Sequence, residues 1–265
     1  MPEDTFALIT GASGGIGECF ARALAARRRN LVLVARSEEK LNELAAELAA
    51  RHGVRVEAIA ADLSVAGAAG NLVEELSERG CSVDLLVNNA GFGARGELWK
   101  LTLERQSAMV ALNINALVEL TYLLLPAMID RGRGGVINVS STASFQPVPY
   151  TTTYSATKAF VTSFSMGLAE ELRPYGIPVV TLCPGGTETN FFVAGRYGIR
   201  DIPGGMQAPE EVAATALDAL RRGGGLVIPR LINKLSIMVQ RLIPRQTVAK
   251  FAAKFFRPRS SGDSP

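Results

Sequence analysis

Tyr154 and Lys158 stand four residues apart in Tyr154-Ser155-Ala156-Thr157-Lys158, a stretch whose pattern predicts helix. That spacing places a phenol and an ammonium on one helical face. An ammonium near a phenol lowers its pKa from about 10, so the pair suits proton transfer nearer neutral pH. Ser141 closes the predicted strand Val136-Ile137-Asn138-Val139-Ser140, and Asn113 lies in the long helix before that strand. Tyr150 is the weaker candidate acid, because the residue four further on is Tyr154 itself and not a lysine. Ser140 adjoins Ser141, but strand alternation sends neighbours to opposite faces, so only one of them points to a given site.

A second chemical signal lies between the first predicted strand and helix, in Thr10-Gly11-Ala12-Ser13-Gly14-Gly15-Ile16-Gly17. Glycines here permit a tight turn and close approach of a ligand to backbone. The free N–H groups and positive dipole end of the helix that follows suit a pyrophosphate. The second predicted strand, Leu31 to Ala35, ends without the acid that would bond an adenosine ribose 2′-hydroxyl, and Arg36 follows at once. A guanidinium there pairs with a 2′-phosphate, which predicts NADP(H) over NAD(H). Asp62 and Leu63 after the third strand, and Asn88-Asn89-Ala90-Gly91 after the fourth, put small and polar residues where open α/β sheets bind ligands.

The elements that must position these residues are legible from periodicity. Short β-branched runs near 5–10, 31–35, 54–60, 83–88, 135–140, 177–183 and 225–228 alternate with helical segments near 15–29, 38–51, 67–79, 102–130, 152–174 and 209–222. Pro126 is expected to bend or interrupt the fourth helix. The alternation predicts an α/β fold, a doubly wound seven-stranded parallel sheet with helices on both faces, in one Rossmann domain over residues 1–230. A basic helical extension over 231–259 and a disordered end over 260–265 complete the expected organisation.

The ordered motifs closely resemble the short-chain dehydrogenase/reductase family, from about residue 5 to 230. They are TGASGGIG at Thr10 to Gly17, the Asp62 site, NNAG at Asn88 to Gly91, Asn113, Ser141 thirteen residues before Tyr154, Lys158, and Pro184-Gly185 with Thr189 downstream. The local texture is similar to the bacterial branch with 17β-hydroxysteroid and 3-ketoacyl-CoA reductases. The resemblance implies an NADP(H)-dependent interconversion of a ketone or aldehyde with an alcohol, by hydride transfer. Tyr154 would be the general acid or base, Ser141 would hold the carbonyl oxygen, Lys158 would bond the nicotinamide ribose, and Asn113 would anchor a relay water. It implies cofactor contacts at Gly11, Ser13, Gly14, Gly15, Ile16, Gly17, Arg36, Asp62, Leu63, Asn89, Ala90, Gly91, Tyr154, Lys158, Pro184, Gly185, Thr187 and Thr189, with a homo-oligomer as the working form. The competing reading is a non-catalytic dinucleotide-binding regulator or scaffold that uses its basic tail.

Composition narrows the field from the other side. The chain has 265 residues, 48% of them apolar and 20% charged, with a single histidine and three cysteines. His52, Cys19, Cys81 and Cys183 are too few and too scattered for a zinc site or disulfide framework, so no metal is expected. His52 sits in a polar Arg51-His52-Gly53 helix end, where a surface histidine is expected rather than a hydrolase base. Met1-Pro2-Glu3-Asp4 carries no secretory leader, which predicts a cytoplasmic protein. No run approaches the roughly 18 to 20 uninterrupted apolar residues of a spanning helix.

Phe92, Phe145, Gln146, Pro147, Tyr150, Phe191 and Phe192 flank the catalytic motifs and predict a pocket for a lipophilic small molecule. Residues 221–265 hold ten Lys or Arg against Asp263 alone, so an acidic body carries a basic tail. In that tail Leu231, Leu235, Met238 and Leu242 follow helical spacing, as do Val248, Phe251 and Phe255 after Pro244. Two amphipathic helices are expected there. One reading packs their apolar faces on the domain or a neighbouring subunit; the other puts residues 230–259 on an anionic membrane, on the inner face. Nucleic acid is not expected as a partner, because the tail has no base-reading module and the body is acidic.

Overall fold

A computed structural model describes residues 5–189, 191 and 205–257. Met1 to Asp4, the pocket candidate Phe192, Arg259 and the expected disordered end from Ser260 to Pro265 lie outside the described residues.

Seven strands form one parallel sheet: β1 (Thr5–Thr10), β2 (Asn30–Ala35), β3 (Val56–Ala60), β4 (Ser82–Asn88), β5 (Gly135–Val139), β6 (Val179–Leu182) and β7 (Gly225–Val227). Their spatial order is β3-β2-β1-β4-β5-β6-β7. The chain thus winds outward from β1 to β3, returns, and winds from β4 to β7 in the other direction. The crevice where winding reverses lies between β1 and β4, paired from Thr5 with Ser82 to Ile9 with Val87. Ligands of open α/β sheets bind in such a crevice, beyond the carboxyl ends of the strands.

Alternation along the buried strands feeds two separate cores. Ala7 and Ile9 face α1 (Gly15–Ala25), α2 (Glu38–His52) and Pro209–Arg221, through Phe20, Leu24, Leu44, Leu48 and Val212. Phe6 and Leu8 face the opposite layer, α3 (Ala68–Glu78), Ala116–Asp130 and Thr152–Leu172, through Leu72, Leu120, Leu124 and Leu168. Strands covered on both faces read as nearly continuous apolar runs, as these do. The architecture is the expected doubly wound Rossmann-type sheet.

The first helix stops at Ala25, short of the expected residue 29. The chain turns through Arg28, at φ 60°, to enter β2, and Arg29 pairs with Asp84 beside β1. The long segment expected over 102–130 is one helical rod with a local irregularity: α4 (Leu103–Val110), a π turn (Ala111–Asn115) and α5 (Ala116–Asp130). The irregularity falls at Asn113 and not at Pro126, which sits inside α5. By length and mean hydropathy this 28-residue rod is long and apolar enough to cross a membrane, although its apolar residues do not form one uninterrupted run. Glu119 and Thr121 interrupt such a run, and the rod's buried side chains Leu120, Leu124 and Met128 pack in the core.

Among the described residues three helices follow, α6 (Thr152–Leu172), α7 (Pro209–Arg221) and α8 (Leu231–Gln240), and after Pro244 comes α9 (Arg245–Phe256). The apolar stripe Leu231, Leu235, Met238 and Leu242 is exposed, contrary to packing on the domain. Ile237, Val248 and Ala252 are the buried apolar residues of these two helices.

Candidate active site

A cavity of about 590 Å³ crosses the carboxyl ends of β3, β2, β1, β4, β5 and β6. It begins at Arg36, Lys40 and Asp62, passes the glycine turn, and reaches Ser141 and Tyr154. Asn233 and Ile237 of α8 and Phe256 of α9 complete its wall.

The glycine turn is held open by its neighbours. Asn89 Nδ2 donates to the carbonyls of Thr10 (2.9 Å) and Gly11 (3.2 Å), while Thr10 Oγ1 accepts from the backbone N–H of Asn89 and Ala90, each at 3.0 Å. Gly11 lies at φ +66°, and a Cβ there would come within 2.9 Å of Asn89 Nδ2. Gly14, the N-cap of α1, has no side-chain cap, which leaves first-turn N–H groups for an anion. Gly11, Ser13, Gly14, Gly15 and Ile16 line the cavity. Gly17 does not: a Cβ there would stand 2.2 Å from the Gly11 carbonyl oxygen, so it is the residue that lets helix and turn pack closely. This cradle fits the pyrophosphate of a dinucleotide.

Arg36 lines the cavity beyond β2, and Lys40, four residues on and in the first turn of α2, joins it. Lys40 is not singled out by the sequence, because Arg36-Ser37-Glu38-Glu39-Lys40 reads as a solvated helix entry; its place in the first turn of the helix that follows Arg36 is the signal that finds it. Asp62 and Leu63 line the same end. Asp62 also accepts from the Ser64 N–H (3.0 Å) and hydroxyl (2.6 Å). Those bonds, with Arg36 nearby, hold its carboxyl below the usual range.

At the other end, β5 and α6 bring Ser141, Tyr154 and Lys158 to the cavity wall. Ser140 also borders the cavity, but its hydroxyl is engaged by the Lys158 carbonyl (2.8 Å) and Thr162 Oγ1 (2.7 Å), fastening α6 to β5. The Ser141 hydroxyl beside Tyr154 favours the phenolate, but burial outweighs it and pushes the phenol up to about 12. Burial also lowers the Lys158 ammonium to about 8. The expectation that lysine lowers the tyrosine pKa therefore does not hold in this geometry; desolvation dominates both groups.

Asn113 is buried behind this wall and does not line the cavity. Its Nδ2 donates to the Phe92 carbonyl (3.1 Å) and Thr157 Oγ1 (3.0 Å), and its Oδ1 accepts from the Phe92 N–H (3.2 Å). A Cβ on Gly91 would lie 2.9 Å from Asn113 Oδ1 and 3.5 Å from Lys158 Nζ, so all three meet in one place. The π turn disturbs the backbone bonding register at this point, as such turns do near functional sites.

Asn89, Ala90, Gly91, Pro184, Gly185, Thr187 and Thr189 line the cavity. Thr187 Oγ1 is already engaged, donating to the Gly185 carbonyl (3.1 Å) and accepting from Gln207 Nε2 (3.2 Å). Thr189 closes over Gly15, where a Cβ would meet its Cγ2 at 2.9 Å.

Of the substrate-pocket candidates, Phe92, Gln146 and Phe191 line the cavity, with Phe191 5.3 Å from the Tyr154 ring. Phe145, Pro147 and Tyr150 are not on its wall. Gln146 is extended, so alternation turns Gln146 and Val148 inward and Pro147 away. Tyr150, at φ +64°, accepts from Arg257 Nε at 3.0 Å, which occupies its hydroxyl outside the cavity. His52 is half-buried at the end of α2 rather than exposed and lies off the cavity wall. Among the described residues no cluster of His, Cys, Asp and Glu could hold a metal.

Residues 5–196 match the family model described as short chain dehydrogenase. Very-long-chain 3-oxoacyl-CoA reductase of Rattus norvegicus is 31% identical over 93% of this chain and 79% of its own length. The enzyme of that name from Pyrenophora tritici-repentis is 33% identical over 84% of this chain, which spans only 65% of that relative. Among solved structures, a short-chain dehydrogenase from Sphingobium yanoikuyae in complex with NADPH is 32% identical, covers 98% of both chains and has a TM-score of 0.81. A bulky-bulky ketone specific alcohol dehydrogenase from Comamonas testosteroni is 30% identical, covers 99% of this chain and 98% of its own, with a TM-score of 0.78. With a reversing parallel sheet, a glycine cradle at its switch point and a match over residues 5–196, the chain belongs to the short-chain dehydrogenase/reductase family of nicotinamide-dinucleotide oxidoreductases.

Proposed function

We propose that the protein is an NADP(H)-dependent reductase of lipophilic ketones or aldehydes, able to run in reverse on the alcohols. The observation that carries this reading is the cavity itself, which joins Arg36 and Lys40, the glycine cradle, and the Ser141–Tyr154–Lys158 wall. The NADPH-bound relative and the relatives named for 3-oxoacyl-CoA and bulky ketones support the same cofactor and a hydrophobic carbonyl substrate.

In this reading the turn from Gly11 to Ile16 holds the pyrophosphate, and Arg36 with Lys40 holds the 2′-phosphate. Asp62 and Leu63 line the adenosine side and Asn89 and Ala90 the middle of the cavity, while Gly91, Lys158, Pro184, Gly185, Thr187 and Thr189 border the nicotinamide side. The bound nucleotide supplies the hydride. Ser141 orients the substrate oxygen by hydrogen bond, and Tyr154, which holds its proton to about 12, delivers that proton to the oxygen as negative charge develops there. Lys158 keeps positive charge behind the phenol, and Asn113 fixes the backbone around Phe92 and Thr157 that shapes the site. Phe92, Val148 and Phe191 exclude water from the reacting atoms.

The working form is proposed to be a homo-oligomer. Support comes from Tyr122 on α5 and from Phe160 and Met166 on α6, all exposed on helices of one layer. Three free cysteines, two of them buried, suit a reducing cytoplasm. The test of activity is NADPH consumption across 3-ketoacyl thioesters, ketosteroids and simple aldehydes, with Tyr154→Phe as the control. Turnover on one class, cut about 100-fold or more by the substitution while NADPH binding persists, is the expected result. Cofactor binding with undiminished turnover in Tyr154→Phe overturns the assignment of the acid.

A further inference from the structure

The helices that wall the cavity carry a second, outward surface. Nine large apolar side chains between Leu231 and Phe255 are exposed: Leu231, Ile232, Leu235, Met238, Val239, Leu242 and Ile243, then Phe251 and Phe255. On α8 the inward positions Asn233, Ile237 and Gln240 meet the cavity, while Leu231, Leu235, Met238 and Leu242 form a stripe on the opposite side, with Leu242 87% exposed. On α9, Val248 and Ala252 are buried, and Phe251 and Phe255 stand out beside Lys250 and Lys254.

This surface is fixed to the body. Arg95 Nε donates to the Phe256 carbonyl (2.9 Å), Arg95 Nη2 to the Arg257 carbonyl (3.0 Å), and Arg257 Nε to the Tyr150 hydroxyl (3.0 Å). Its charge is one-sided: seven Lys or Arg and no Asp or Glu occur from Arg230 to Arg257.

We propose that α8 and α9 form a docking surface for an anionic lipid bilayer. The apolar stripe sinks among acyl chains while Lys234, Arg241, Arg245, Lys250 and Lys254 meet the headgroups, the arrangement that holds an amphipathic helix in the membrane plane. A contiguous exposed apolar patch needs an occupant. A symmetric pairing of this face with a second copy sets Lys234, Arg241, Arg245, Lys250 and Lys254 against their own like charges, whereas an anionic bilayer satisfies both the apolar and the charged elements. Docking brings the helices that wall the cavity to the lipid. That a membrane-dissolved carbonyl enters there rests on the proposed reductase activity; the docking does not.

The experiment is flotation of the full-length protein with vesicles of equal parts phosphatidylglycerol and phosphatidylcholine, against phosphatidylcholine alone. Binding at least about tenfold stronger to the anionic vesicles, weakened by salt, is expected, since each cation near such a surface contributes about fivefold. Leu242→Glu and Phe251→Glu, both at exposed positions, should each cut binding about tenfold while leaving NADPH affinity and solubility unchanged. Lys250→Glu with Lys254→Glu should do so through charge alone. Equal binding to the two vesicle types, or variants that bind like the wild type, overturns the proposal. So does background flotation with Leu242→Glu dissociating an oligomer in size-exclusion chromatography, which would assign the face to a second copy. Because flotation needs no turnover, a failure here leaves the proposed activity untouched, and the reverse.

Discussion

The Lys158 ammonium lies 5.9 Å from the centre of the Tyr154 ring and donates to the Val139 carbonyl at 2.8 Å. One turn of α6 separates the two residues, so they share a face. The bond to β5 nonetheless draws the ammonium to the sheet side of the site. Both groups are buried, and burial acts on them in opposite senses: the neutral phenol is favoured to about 12 and the neutral amine from about 8 upward. Lys158 is therefore the first of the pair to lose its proton as pH rises.

This order fixes a pH dependence of stability. The folded Lys158 pKa of about 8 lies below its ordinary 10.5, so between those values the unfolded chain binds the extra proton and stability rises with pH. The burial cost below 8 is roughly 3 kcal/mol. Tyr154 has the opposite sign: above its ordinary 10.0 the unfolded phenol ionises first, and stability falls toward about 12. Urea unfolding should give a midpoint that rises from 8 to about 10 and then turns down. Lys158→Met should be more stable than wild type at neutral pH and lose the rising limb. A wild-type midpoint that stays flat across this window would sink the account.

The phosphate end makes a separate prediction about selectivity. Arg36→Asp replaces a phosphate partner with a like charge and should weaken NADPH binding about 100-fold, with NADH changed by no more than a few fold. Lys40→Ala removes one of two cations and should cost NADPH about 5- to 10-fold. Fluorescence titration of both nucleotides decides it. Parallel losses for NADPH and NADH would remove these residues from the 2′-phosphate site.

The sheet, the glycine turn and the places of Ser141, Tyr154 and Lys158 are legible in the sequence because each rests on a short local pattern. Short β-branched apolar runs in β1 to β6 and helical spacing in α6 need no partner to be read. What escapes the sequence depends on which way a face turns. The stripe from Leu231 to Leu242 announces an apolar side of α8 but not its direction, and it turns to solvent while Asn233 and Ile237 wall the cavity. Tyr150 and Phe145 sit among the motifs by position but outside the cavity by orientation. The π turn at Asn113 leaves no trace, since one extra residue in a helical turn hardly shifts the apolar period.

Two glycines of the cradle should fail in different ways. A Cβ on Gly14 meets nothing within 4 Å and its extended φ suits any residue, so Gly14→Ala should fold as wild type. Gly14 lines the cavity, however, and the added methyl should weaken nucleotide binding. A Cβ on Gly17 would stand 2.2 Å from a backbone oxygen that no rotamer change can move. Gly17→Ala should therefore cost about 3 kcal/mol or more in unfolding free energy. Thermal unfolding without nucleotide separates the two; equal melting temperatures would refute the packing role given to Gly17.

Asn88 and Asn138 extend the argument to the support beneath the site. Asn88 Nδ2 donates to Thr121 Oγ1 (3.0 Å) on α5 and to Asn138 Oδ1 (2.9 Å) on β5, and Asn138 Nδ2 donates to Ser165 Oγ (2.9 Å) on α6. All four residues are buried, so this chain ties β4, β5, α5 and α6 where water cannot replace a lost partner. Asn88→Ala leaves the Asn138 carbonyl oxygen unpaired and opens a small void, which should cost about 2 to 4 kcal/mol. Because β5 carries Ser141 and α6 carries Tyr154, the loosened chain should lower kcat more than it raises the KM for cofactor. Asn138→Ala should cost a similar amount, and the double variant clearly less than the sum, since the second change removes a group already left unpaired. Strict additivity in denaturant unfolding would mean that the two asparagines act independently and that the chain does not hold β5 against α6.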